Sequence, residues 1–155
     1  MRVGVTGHQQ APQHAWDYVE REMRSRLVVA APPLVGVTSL AAGADQLFAR
    51  LVLEVGGAVE VIVPSDGYGD TFDDGGAEYR FLLGRAASST KLEFAAPSEE
   101  AFFEAGKRIV RTVDLVIAVW DGEDAKGVGG TADVVRYARS RGVTVEVIWP
   151  MGVRR

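Results

Sequence analysis

A doubly wound α/β fold on a mainly parallel sheet of about six strands is predicted by three observations. Short apolar runs alternate with longer amphipathic ones from one end of the chain to the other. Several of the short runs are apolar on both faces, as strands covered by helices on each side must be. Strand is repeatedly followed by helix, an order that right-handed crossovers turn into a three-layer α/β/α sandwich.

The elements follow in order. Val3 to Thr6 reads as the first strand. After Pro12, Trp16, Val19, Met23 and Leu27 fall on one helical face while Asp17, Glu20, Arg21 and Arg24 lie elsewhere, the pattern of a surface helix. Leu34 to Thr38 is the second strand, and a helix from about Ala44 buries Leu47, Phe48, Leu51 and Val55 before stopping at Gly56-Gly57. Val59 to Val63 and Lys91 to Phe94 read as the third and fourth strands. Ser98, after Pro97 and before Glu99 and Glu100, has the chemistry of an N-cap for a helix that buries Phe102, Ile109 and Val113. Leu115 to Trp120 is the fifth strand, Thr131 to Arg141 the last helix with Gly142 at its C-terminal cap, and Thr144 to Trp149 the sixth strand.

Composition narrows the function. A chain of 155 residues is long enough for one core and too short for two ordinary domains, so residues 1–155 are expected to form a single domain. With no cysteine, disulfide frameworks, thiolate metal sites and cysteine nucleophiles are excluded. No apolar run approaches the roughly 18 residues of a membrane span, and the start lacks the pattern of a signal peptide, so a cytoplasmic protein with no membrane partner is expected. The net charge of -4 gives no general attraction to anionic lipid or nucleic-acid backbone, which makes a free mononucleotide a better ligand than a polymer.

In a doubly wound sheet, ligands sit at the carboxyl ends of the strands, where strand order reverses. The loops there carry the candidate site. Gly7 and His8 follow the first strand, Ser39 and Gly43 the second, and Asp121 opens the loop after the fifth. Lys126-Gly-Val-Gly-Gly-Thr-Ala-Asp133 then leads into the last helix; glycines admit a ligand close to the backbone, and free amides at a helix start suit an anion. Gly129, Gly130 and Thr131 are therefore the expected phosphate holders. The same residues also suit a glycine turn with Thr131 as N-cap.

The stretch Gly127-Val-Gly-Gly-Thr-Ala132 satisfies G-x-G-x-x-A but lacks the acidic partner at the end of the next strand, and no Lys-Ser or Lys-Thr follows its glycines. NAD and ATP-hydrolysis chemistry are thus poorly matched, and no cofactor is expected. His8 and His14 are the only histidines and have no paired metal-ligand spacing, so no metal site is expected either. Asp45 is read as an acidic residue favoured by a helix's first turn. The acidic, glycine-rich segment from Ser65 to Gly76 reads as a lid whose Tyr68 or Phe72 stacks on a base, with Arg80 returning positive charge to a phosphate. It suits a plain solvent loop as well.

Taken together, Val5-Thr-Gly-His8, Ala42-Gly-Ala-Asp45 and Gly129-Gly-Thr-Ala-Asp133 resemble motifs of the SLOG superfamily of Rossmann-like proteins. That group includes the LOG-type phosphoribohydrolases, often labelled lysine decarboxylases, and the DNA-processing A proteins. The resemblance implies a nucleotide-derived ligand on the glycine loops and a homo-oligomer. LOG-type enzymes carry Gly-Gly-x-Gly-Thr-x-x-Glu, and aligning Gly130-Thr131 puts Val134 where the glutamate belongs. Asp133 is one residue early, a rotation of about 100 degrees on a helix. The DNA-processing branch binds single strands, but the sequence displays no row of basic and aromatic residues for a strand to follow.

The first expectation is accordingly a sensor or carrier for a small nucleotide or nucleotide-like phosphate. The alternatives are an N-glycosidic hydrolase of nucleoside monophosphates, using Asp133 or a carboxylate between Asp66 and Asp74, and a structural or partner-binding domain with a vestigial pocket.

Overall fold

The computed structural model describes residues 1–124 and 130–154. Its elements are β1 (Arg2–Gly7), α1 (Gln13–Val28), β2 (Val35–Thr38), α2 (Ala44–Glu54), β3 (Ala58–Val63), α3 (Ala77–Gly84), β4 (Ser88–Lys91), α4 (Glu99–Thr112), β5 (Leu115–Val119), α5 (Thr131–Ser140) and β6 (Thr144–Ile148), with a 3₁₀ turn at Tyr68–Thr71. Among the described residues the six strands form one sheet in the order β4-β3-β2-β1-β5-β6, every neighbouring pair parallel. The three-layer, doubly wound architecture expected from the sequence is present. Strand order reverses between β1 and β5, where Gly7 pairs with Val119.

Two apolar layers hold the helices to the sheet. Val3 and Val5 of β1 and Ile117 and Val119 of β5 pack with Val19, Met23 and Leu27 of α1 and Phe48, Leu51 and Val52 of α2. On the other face Val37 and Ile62 meet Ala105 and Ile109 of α4, while Val116 meets Val110 and Val134. Each such side chain contributes about 1.5–3 kcal/mol of transfer free energy when fully buried. Close approach needs small residues at the contact: a Cβ on Gly36 would lie 2.7 Å from Val52 Cγ2, and one on Gly4 would lie 2.7 Å from Ile109 Cγ2.

Three local expectations need correction. The fourth strand lies at Ser88–Lys91, ahead of Lys91 to Phe94; it is an edge strand whose four residues are all exposed, so no apolar pattern marks it. The helix after Ser98 buries Ala101, Ala105, Ile109 and Val110, whereas Phe102 stays 37% exposed beside Tyr68. Gly130, not Thr131, occupies the N-cap position of α5. Ser98 does cap α4, its hydroxyl accepting from the Ala101 amide at 3.0 Å. Among the described residues, no helix is long and apolar enough to cross a membrane.

Candidate functional site

The carboxyl ends of β1, β2 and β5 open into a cleft of about 1750 Å³, floored by Gly7 and His8, walled by Ser39, Ala41 and Asp45, and closed on the far side by Trp120, Asp121, Gly130 and Thr131. Its volume exceeds that of an ordinary small-molecule pocket, roughly 300–1,000 Å³. The aromatic rings of Tyr68, Phe72 and Phe102 form its rim.

The loop after β1 is tied down on two sides. The His8 amide donates to Val119 O at 3.0 Å, and its carbonyl accepts from the Ala44 amide at 3.1 Å. The imidazole is buried edge-on against Trp149, with ring centroids 5.2 Å apart. Its Nε2 accepts the Asp121 amide at 3.0 Å, which requires a lone pair on that nitrogen and assigns the proton to Nδ1. The Asp121 carboxylate lies 3.3 Å from the same Nε2, an ion pair only for a protonated ring; the shorter, directional amide contact is the one the geometry favours. Asp121 Oδ1 also accepts from the Glu123 amide at 3.0 Å, closing a turn over Gly122 at φ +87°. Asp121 thus serves a turn and faces the cleft at once.

After β2, the chain wraps around one buried carboxylate. Asp45 accepts the Thr38 hydroxyl at 3.1 Å and is held also by the Ser39 and Ala41 amides. Thr38 Oγ1 accepts the Leu40 amide, and Gln46 Nε2 donates to Leu40 O. Leu40 itself sits at φ +59° with its side chain wholly buried, a conformation costly for a bulky residue and concentrated at functional edges. Burial pushes the Asp45 carboxyl up to about 6, outweighing the three hydrogen bonds that favour its charged form. Burial, and then the charge of Asp45, also raises the Tyr68 hydroxyl. Ser39 Oγ is sequestered from solvent and has no hydrogen-bond partner among the described residues.

Gly43 does not line the cleft. At φ +82° it packs against the loop after β1, where an added Cβ would lie 2.6 Å from Gln9 O and 2.7 Å from His8 O. Arg80 is also outside the cleft; its Nη1 donates to Gly75 O at 2.8 Å. Gly129 lies outside the described residues. The structure therefore brings together Gly7, His8, Ser39, Asp121, Gly130 and Thr131 of the residues expected from sequence.

The segment from Ser65 to Gly76 is held by an aromatic cluster. Tyr68 meets Phe72, Tyr79 and Phe102 edge-on, and Phe72 stacks on Tyr79 at 4.9 Å. Asp74 accepts the Gly76 amide at 2.8 Å just before α3. At α5, Val134 faces the cleft, whereas Asp133 is paired with Arg136 at 2.6 Å and is not among the lining residues. No hydrogen bond to the Thr131 or Ala132 amide comes from the described residues.

The electrostatics of the cleft are one-sided. Asp45, Asp73, Asp74, Asp121, Glu123 and Asp124 line it, against the single cationic side chain of Arg154 among the described residues. Among the described residues, no group of three or more acidic or histidine side chains is arranged to hold a metal ion.

No protein-family profile and no curated protein sequence matches the chain. Solved structures do match. DNA processing protein A from Streptococcus pneumoniae superposes with a TM-score of 0.69 at 21% identity over 94% of this chain, which spans only about half (49%) of that protein. DNA processing protein A from Helicobacter pylori, described with a single-stranded DNA binding mode, gives a TM-score of 0.73 at 15% identity over 99% of this chain and 67% of the other. The molybdenum cofactor binding protein of Rippkaea orientalis gives 0.59 at 15% identity, covering 94% of this chain and 74% of its own. These likenesses are of fold alone: the chain shares a Rossmann-like, three-layer α/β/α fold with these proteins.

Proposed function

We propose that the cleft binds one small nucleotide or nucleotide-derived monophosphate, the chain acting as a sensor or carrier. The observation that carries this reading is the convergence of three loops at the point where strand order reverses, the place where such sheets take their ligands. In this reading Gly130 and Thr131, with Gly129 of the same motif, hold the phosphate at the start of α5, where the helix dipole favours an anion. Ser39 lines the pocket wall, Asp121 meets sugar hydroxyls, and Tyr68 and Phe72 border the base.

Charge limits the ligand. A unit anion about 8 Å from one carboxylate is opposed by about 0.5 kcal/mol in bulk water and about 2 kcal/mol at an effective dielectric of about 20. Six carboxylates around the cleft therefore disfavour each charge beyond the one phosphate that the start of α5 can hold, which favours a monophosphate over a polyphosphate. Titration with adenosine, AMP and ATP under one buffer checks this: AMP is expected to bind most tightly. Equal affinity for adenosine and AMP would remove the phosphate from the reading, and a preference for ATP would contradict the electrostatic argument.

One observation favours a second reading, hydrolysis of the N-glycosidic bond of a nucleoside monophosphate. Asp45 lines the cleft with its carboxyl at about 6, a value suited to proton transfer near neutral pH. It is better placed for that task than Asp133, which is tied to Arg136. Release of adenine from AMP by the wild-type chain, abolished in Asp45→Asn, is the result this reading requires.

A further inference from the structure

A second surface lies at the other end of the molecule. Helices α4 and α5 run back from the carboxyl edge of the parallel sheet toward its amino edge, and Arg111, Tyr137 and Arg141 near their ends do not line the cleft. There Arg111 Nε donates to Tyr137 Oη at 2.9 Å, and its guanidinium carbon lies 5.6 Å from the Tyr137 ring centre. The Arg141 guanidinium approaches the same ring at 6.0 Å. Phe103 meets Tyr137 edge-on, and Lys107 lies over Phe103 at 4.8 Å.

Lys107 is already paired with Glu104, but Arg108, Arg111 and Arg141 are exposed and make no ion pair among the described residues. Two unpaired guanidinium groups drawn to one tyrosine repel each other and present planar donor forks to solvent. Cations at a helix C-terminus are favoured by the dipole, which accounts for one on each helix but not for their convergence. An external anion relieves the repulsion.

We infer that this α4–α5 face docks an acidic segment of a partner protein, with Arg111 and Arg141 gripping carboxylates on either side of Tyr137. Composition favours protein over nucleic acid. Arginine and tyrosine are the residues enriched at the energetic centres of protein interfaces. A nucleic-acid strand would instead need many phosphate contacts against the net charge of -4.

The test is fluorescence polarisation of a short labelled peptide alternating Glu with Phe, beside a labelled oligothymidylate of equal length, at about 0.1 M salt, where charges within about 10 Å still interact. The peptide is expected to bind, and to bind about tenfold or more weakly to Arg111→Gln and to an Arg108→Gln/Arg141→Gln double variant. The double variant leaves the Arg111–Tyr137 hydrogen bond between α4 and α5 in place and gives up only the Arg141 contact with the Tyr137 ring, so its weakening would not reflect a broken interhelical hydrogen bond. Arg85→Gln, on the opposite helical layer, is expected to bind as wild type. The proposal is overturned by no peptide binding, by equal binding to the α4–α5 variants, by equal weakening in Arg85→Gln, or by tighter binding of the oligothymidylate.

Discussion

Replacing Asp45 with Asn removes a carboxyl that the fold holds at about 6, against an ordinary 3.8. Because the folded value is raised, the folded state prefers the protonated form. The wild type therefore has its full relative stability below the unfolded value near 3.8 and loses it as pH climbs through about 6. The penalty of the charged form is equivalent to about 3 kcal/mol. Asn cannot ionise, so its own cost, a changed set of partners at Thr38, Ser39 and Ala41, is independent of pH around this site. Urea unfolding of both proteins from pH 4 to pH 8 should show the wild type falling relative to Asp45→Asn by about 2 kcal/mol between pH 4 and pH 7, then levelling, the rest of the penalty having been incurred below pH 4. A difference that stays flat with pH, or in which the wild type gains as pH rises, would refute the claim that burial outweighs the three hydrogen bonds.

Other outcomes follow from the same geometry. His8→Ala takes away the acceptor of the part-buried Asp121 amide and opens a space beside Trp149, so thermal unfolding should report a loss of about 2 kcal/mol together with weaker AMP binding. Gly43→Ala forces φ +82° on a side chain and sets its Cβ against the backbone of Gln9, costing at least about 2 kcal/mol, whereas Gly56→Ala at φ +87° in open space should cost about 1 kcal/mol. Ser98→Ala deletes the α4 cap, with an expected loss of about 1 kcal/mol in denaturant titration and no change in ligand binding.

What the sequence made legible was whatever repeats along it. β1, β2, β3 and β5 bury most of their apolar runs and were readable from them, β6 was readable from its alternation of β-branched residues although only Ile148 of it is buried, and the N-cap at Ser98 was readable too. β4 was not, because Ser88–Lys91 is a polar edge strand while the apolar Leu92 and Phe94 follow it. The ligand edge was legible because a parallel sheet and its crossovers dictate where strand order reverses. Particular side chains were harder. An aspartate in a helix's first turn has a sufficient local explanation, so nothing in the string Ala-Gly-Ala-Asp reveals that Asp45 is buried with its loop closed around it. Gly43 owes its place to Gln9, a tertiary neighbour, and Arg111 meets Tyr137 across 26 positions of sequence. Each depends on packing between elements, which local periodicity does not encode.

The most direct test of the central claim is calorimetric titration of the chain with AMP, followed by chromatography of the same mixture for free adenine. A saturable heat that is lost in Gly130→Trp, with AMP recovered intact, is the expected result. No binding heat would contradict a nucleotide cleft, and steady release of adenine would replace the sensor or carrier with a hydrolase.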